Sequence, residues 1–155
     1  MRRGFSTIEL LVVLAIVGLL AAVLFPRIRP PEARLMANEI KAMLQQGRYE
    51  AIKRNQPVAF VWLADESSFR TRYDSSSQTV AAACVGDREI ARKDLSDYRN
   101  VAVDVDILTG GIVWLPTGQA RTCTGGPMVT GYVEVEGNGV SLIVEASMGG
   151  KVTIR

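Results

Sequence analysis

Three hydrophobic patterns follow one another along this chain of 155 residues. Leu10 to Phe25 runs without one charged or hydrogen-bonding side chain. Counted from Phe5, the segment covers 21 residues, about 31 Å as a helix and close to the hydrocarbon thickness of a bilayer. Pro26 and the pair Pro30-Pro31 punctuate its exit. Proline lacks an amide donor and disfavours helix at the preceding residue, so a break or kink is expected near Arg29. The second pattern is "PEARLMANEIKAMLQQGRYEAIKRN". Met36, Ile40, Met43/Leu44, Gly47 and Ala51 recur at helical spacing and define one apolar face. Pro31 suits its first turn, and Asn55-Gln56-Pro57 ends it.

From Pro57 the period changes to that of strands. "VAFVWL" and "FRTRY" read as a pair joined by the turn "ADESS". "VAVDVDI" puts Val101, Val103, Val105 and Ile107 on one face, with Asp104 and Asp106 opposite. "GGIVWLPTG" supplies another short strand, with Trp114 assigned to the core. "YVEVEGNGVSLIVEASMGGKVTIR" reads as three strands with turns at Gly137-Asn138-Gly139 and Met148-Gly149-Gly150. The pattern predicts an α+β protein: a long, kinked transmembrane-plus-amphipathic helix packed on an antiparallel β-sheet domain. Residues 64–100 carry little beyond "FRTRY" that assigns a structure or a role.

Charges nearly balance at +2, so bulk composition demands no nucleic-acid partner. The chain has no histidine, which removes the commonest general base and metal ligand. Arg2 and Arg3 would fit a cleavable secretory signal, but such apolar regions usually span about 7–15 residues, so a retained membrane helix is favoured. Arg27, Arg29 and Arg34 flank the other end, and charge bias alone does not orient the segment. Cys84 and Cys123 are either two buried thiols or a bridge. An isolated pair is most useful outside the reducing cytosol, which places the body of the protein outside and favours the bridge. Residues 27–54 hold seven Lys/Arg and three Glu, read as a solvated helix face or as a strip touching headgroups or a neighbouring subunit.

One residue conflicts with a plain membrane segment. Glu9 sits just inside its entrance, where an unpaired carboxylate costs free energy. "RRGFSTIELLVVLAIVGLLAAV" resembles the class III signal of type IV pilins and type II secretion pseudopilins. The resemblance implies that a prepilin peptidase cuts between Gly4 and Phe5, that Phe5 is then N-methylated, and that Glu9 is the assembly residue. Phe5 would carry a cationic amine one helical turn from Glu9. In a staggered bundle, the carboxylate of one subunit can meet the amine of the next, a pair favoured in low dielectric. Removal of the leader also takes away Arg2 and Arg3. Downstream, "LQQGRYEAIKRNQPV", "WLPTGQA" and "GGKVTIR" resemble the GspH/FimT branch. The implied organisation is a leader at 1–4, a transmembrane and assembly helix at 5–26, an amphipathic helix at 27–56 and a β-rich domain at 57–155.

Other motifs lead nowhere. "SMGGKVT" lacks the first glycine of a phosphate loop and has Val152 after Lys151. Asp104 and Asp106 fit a solvated strand face better than a cation site. No catalytic constellation, cofactor or metal site is expected. The reading is a minor pilin or pseudopilin, held in the bacterial inner membrane with its C-terminal domain periplasmic and later incorporated into a filament. Its implied partners are other pilins or pseudopilins, the prepilin peptidase and an inner-membrane assembly platform. A DNA-uptake subunit contacting phosphates through Arg121, Lys151 and Arg155 is one rival. A membrane-anchored periplasmic enzyme is the other.

Overall fold

The computed structural model describes residues 7–24, 31–106, 110–128 and 130–155. It forms two compact units, residues 1–30 and 31–155, within those limits. In the first unit, α1 (Thr7–Leu24) is a single 18-residue helix, about 27 Å long. Among the described residues, no helix is long and apolar enough to cross a membrane. The expected span, Phe5 to Phe25, extends past α1 at both ends. Gly4, Phe5, Pro26 and Pro30 lie outside the described residues, as does the kink expected near Arg29.

The second unit opens with α2 (Glu32–Arg54). Pro31 stands one position ahead of the first turn expected for it. Its ψ of 134° is extended, which makes it the N-cap, and its carbonyl accepts from the amides of Arg34 and Leu35. Asn55 ends α2 in the left-handed region at φ 53°, its amide bonded back to Ile52. Every residue assigned to the apolar face is buried. Gly47 is needed for close approach: a Cβ there would lie 3.1 Å from Cδ1 of Trp114 and 3.3 Å from Cγ2 of Thr71.

Nine strands follow among the described residues. They are β1 (Val58–Leu63), β2 (Ser68–Tyr73), β3 (Arg88–Asp94), β4 (Val101–Asp106), β5 (Gly111–Trp114), β6 (Ala120–Thr122), β7 (Thr130–Gly137), β8 (Val140–Ser147) and β9 (Val152–Ile154). The sequence led us to expect one sheet; the strands form two antiparallel sheets. One has the order β3-β2-β1-β5-β6 and the other β4-β7-β8-β9. Alternation along a strand reveals its buried face, but not which sheet it joins. The chain leaves the first sheet after β3, adds β4 to the edge of the second, and returns at β5.

The inner faces of both sheets meet α2 in one core, where Phe60, Phe69, Ile112, Trp114, Val133 and Val144 join Met36, Ile40 and Leu44. Asn138 (φ 53°) and Gly139 (φ 75°) form the tight β7–β8 turn, the geometry that Asn-Gly favours. A short helix, α3 (Val80–Cys84), covers the outer face of the first sheet, where Ala83 and Cys84 pack with Ala59, Val61 and Val113. Cys84 is bonded to Cys123, with Cα atoms 5.9 Å apart.

Candidate functional site

Helix α1 has no polar stripe. Ten aliphatic side chains between Ile8 and Leu20 are each 48–70 % exposed, and they point in every direction around the axis. A helix that is apolar all round is stable only when surrounded by lipid or by other apolar segments. Glu9, in its first turn, is the one ionisable residue of α1. The expected cleavage and methylation positions, Gly4 and Phe5, are outside the described residues.

The cations of α2 divide by role. Arg48 reaches across to two turns: Nε donates to the carbonyl of Gly118 and Nη1 to that of Gly150, each at 3.1 Å. Those turns belong to different sheets, so one guanidinium ties both to α2. A planar fork with fixed donor directions suits this task. Lys53 and Arg54 face Glu50, and Arg54 Nε donates to Oε2 at 2.6 Å. That bond holds the Glu50 carboxyl below its usual range. Arg54 also lies 4.6 Å over the ring of Tyr73. Arg34 and Lys41 have no ion-pair partner among the described residues.

A second network fixes β3 to α2. Lys93 Nζ lies 3.0 Å from Glu39 and 3.2 Å from Asp97. The bond to Glu39 raises the Lys93 pKa. Tyr98 is pushed up to about 12, first by burial and then by its hydrogen bond to Glu39. On the outer face of the first sheet, Arg70 stands opposite Arg92. Glu66 and Glu89 flank Arg70, while Asp94 pairs with Arg92, which neutralises that row.

The outer face of the second sheet is different. Asp104 is directly opposite Glu134, and Asp106 is opposite Tyr132. Glu136 and Glu145 lie on the same side. Asp106, more than burial, raises the Tyr132 pKa. Sequence reasoning treated Asp104 and Asp106 as an ordinary solvated face and missed their partners. "VAVDVDI" paired with "YVEVEG" would have revealed the row, had the register been known.

The residues considered for DNA do not form a site. Arg121 donates to the carbonyl of Gly125, Arg155 pairs with Glu145, and Lys151 is exposed beside the β8–β9 turn. None of these contacts joins one of the three to another.

Helix α2 backed by two antiparallel sheets, preceded by a wholly apolar helix, defines an α+β subunit of pilin type. Its fold is similar to the type IV minor pilin FimU of Pseudomonas aeruginosa, with a TM-score of 0.62 at 15 % identity, covering 80 % of this chain and 88 % of that one. The minor pseudopilin EpsH of the Vibrio cholerae type 2 secretion system gives 0.57 at 13 % identity, covering 80 % and 96 %. Residues 36–150 match the family described as type II transport protein GspH, and the chain belongs to that family. The description is of a transport component and not of a catalyst. A curated relative, the type IV major pilin protein PilE of Neisseria gonorrhoeae, is 34 % identical over 76 residues. That match covers 49 % of this chain and 45 % of PilE, so it spans less than half of the relative's length.

Proposed function

We propose that this chain is a minor pilin or pseudopilin, held in the inner membrane through its N-terminal segment and drawn from it into a filament. The observation that carries the proposal is α1: apolar on all sides, uncovered, and bearing a single carboxylate. Residues 5–26 cross the lipid and residues 31–155 lie outside. A prepilin peptidase removes residues 1–4 and Phe5 is methylated. Glu9 then meets the amine of a neighbouring Phe5 when the assembly platform stacks subunits. Such a charge-assisted contact replaces a carboxylate poorly satisfied in lipid. Whether the filament is a pilus or the piston of a secretion system is a property of its partners.

The test compares wild type, Glu9→Ala and Glu9→Gln as full-length chains in their native membranes. Intact mass should first show each starting at methylated Phe5. Crosslinking per cleaved, inserted subunit should then fall in both variants, because glutamine accepts a hydrogen bond but cannot neutralise a cation. Equal yields in all three would defeat the assembly role. A mature N-terminus near Val23 would defeat the pilin reading itself.

A further inference from the structure

Two faces of the unit 31–155 carry opposite charge and look in opposite directions. On the outer side of the second sheet, Asp104, Asp106, Glu134, Glu136 and Glu145 lie together across β4, β7 and β8. Among the described residues, Arg155 is the only cation paired to them. Asp104 and Glu134 occupy directly opposite positions, an arrangement of like charges that destabilises a sheet. The inward residues of the same strands, Val133, Val135, Val144 and Ala146, are buried in the core with α2. The outward face of α2 is therefore on the far side of the unit.

That far side is cationic. Arg34, Lys41 and Arg48 recur every seven residues, about 10 Å apart along the axis, and so share one face. Beside them Leu35, Tyr49 and Ile52 are 42 %, 62 % and 51 % exposed. Gln45, Arg48, Tyr49, Ile52 and Gly150 line a shallow cavity of about 330 Å³. An apolar centre flanked by cations is the complement of a sheet face that offers carboxylates around Tyr132 and Ile143.

We propose that the acidic outer face of the β4-β7-β8-β9 sheet docks the exposed basic face of α2 on a second copy of this chain. The proposal rests on the filament reading above and names the contact between neighbouring bodies. A patch that fits a different patch on the opposite side of the same body makes a head-to-tail contact. Such contacts propagate without closing and generate helical filaments. The carboxylates repel nucleic acid, so this face does not serve a DNA-binding role. Charge pairing across the contact sets its specificity and its sensitivity to salt.

The experiment uses full-length chains in membranes, two epitope tags, and a photo-crosslinking residue in place of Gln45. One variant reverses the helix face (Arg34→Glu with Lys41→Glu), and the other reverses the sheet face (Asp104→Lys with Glu136→Lys). Each variant alone should lose about tenfold in crosslinking between copies, an equilibrium change of one decade. Co-expressed, the two reversed chains present matched faces again, and yield should return to within about threefold of wild type. Thermal melting guards against misfolding. Asp104→Asn is the gentler variant and should keep or raise the melting temperature while lowering the yield.

Unchanged yields in the reversed variants, no recovery on co-expression, or crosslinks found only on other proteins would overturn the contact. If Glu9→Ala abolished assembly while charge reversal did nothing, the docking would fall and the filament reading would remain. Charge-dependent pairing that survived Glu9→Ala would uphold the docking and remove Glu9 from it.

Discussion

Replacing Arg48 tests how the two sheets are held to α2. In Arg48→Ala the carbonyls of Gly118 and Gly150 lose donors that now lie at 3.1 Å each. A hydrogen bond to a charged group contributes about 1.5–3 kcal/mol. The site is only partly buried, so water replaces some of the loss, and the expected cost is about 2–3 kcal/mol for the pair. In a unit of this size that corresponds to a melting temperature roughly 6–10 °C lower. Arg48→Lys should recover about half, because one ammonium lacks the fork that reaches two carbonyls from one plane. The geometry has a second consequence: a Cβ on Gly150, at φ 85°, would sit 2.6 Å from the Arg48 guanidinium. Gly150→Ala should therefore lower the melting temperature as well. Chemical denaturation of the three variants, followed by far-UV circular dichroism, gives the free energies. A loss below about 0.5 kcal/mol in Arg48→Ala, the range of ordinary surface changes, would refute the clamp. Lysine performing as well as arginine would refute the two-carbonyl account.

The remaining predictions concern the bridge and the alkaline limb. The Cys84–Cys123 bond joins positions separated by 39 residues, and constraint of that loop should contribute about 4 kcal/mol. Cys123→Ala, or reductant, should shift the denaturation midpoint accordingly, and an unchanged midpoint would show that the unfolded chain is not what the bridge restrains. Lys93 and Tyr98 both have folded pKa values above their ordinary ones, Tyr98 at about 12. Their stabilisation is complete below about pH 10 and is lost as pH climbs through the folded values. Melting temperature should accordingly fall between about pH 10 and 12, and Tyr98→Phe should flatten that slope. A slope unaltered by the phenylalanine would assign the fall to other groups.

What the sequence disclosed depended on how each element is buried. The α2 face was legible because one side of that helix is apolar and the other is not. β1, β4 and the β7–β9 meander were legible because their partners bury alternate residues, and Asn138-Gly139 marked a turn. β3 was hidden: "REIARKD" is an edge strand whose contribution is a ladder of Arg92, Asp94 and Glu89 against β2, with no apolar alternation to detect. α3 is five residues long and is held by a Thr79 cap and a disulfide, too short for helical periodicity. Arg48 was counted within a basic strip, since its carbonyl partners lie 70 and 102 positions away. The motif blocks "WLPTGQA" and "GGKVTIR" contain those partners, Gly118 and Gly150, but nothing local connects them to α2. Glu9 was legible from its company: a carboxylate at the start of an apolar run has few uses.

The disulfide also bears on the order in which this body is built. β1-β2-β3, β5-β6 and β7-β8-β9 are local pieces, each made of strands adjacent in sequence. Short loops let such pieces form on microsecond to millisecond scales, whereas distant pairings close slowly. Two distant pairings must follow, β1 with β5 and β4 with β7. Cys84 precedes β3 and Cys123 follows β6, so the two sulfurs meet only when β5-β6 has taken its place beside β1. Disappearance of free thiol during refolding is thus a clock for that joining step, one that runs without any probe attached to the chain.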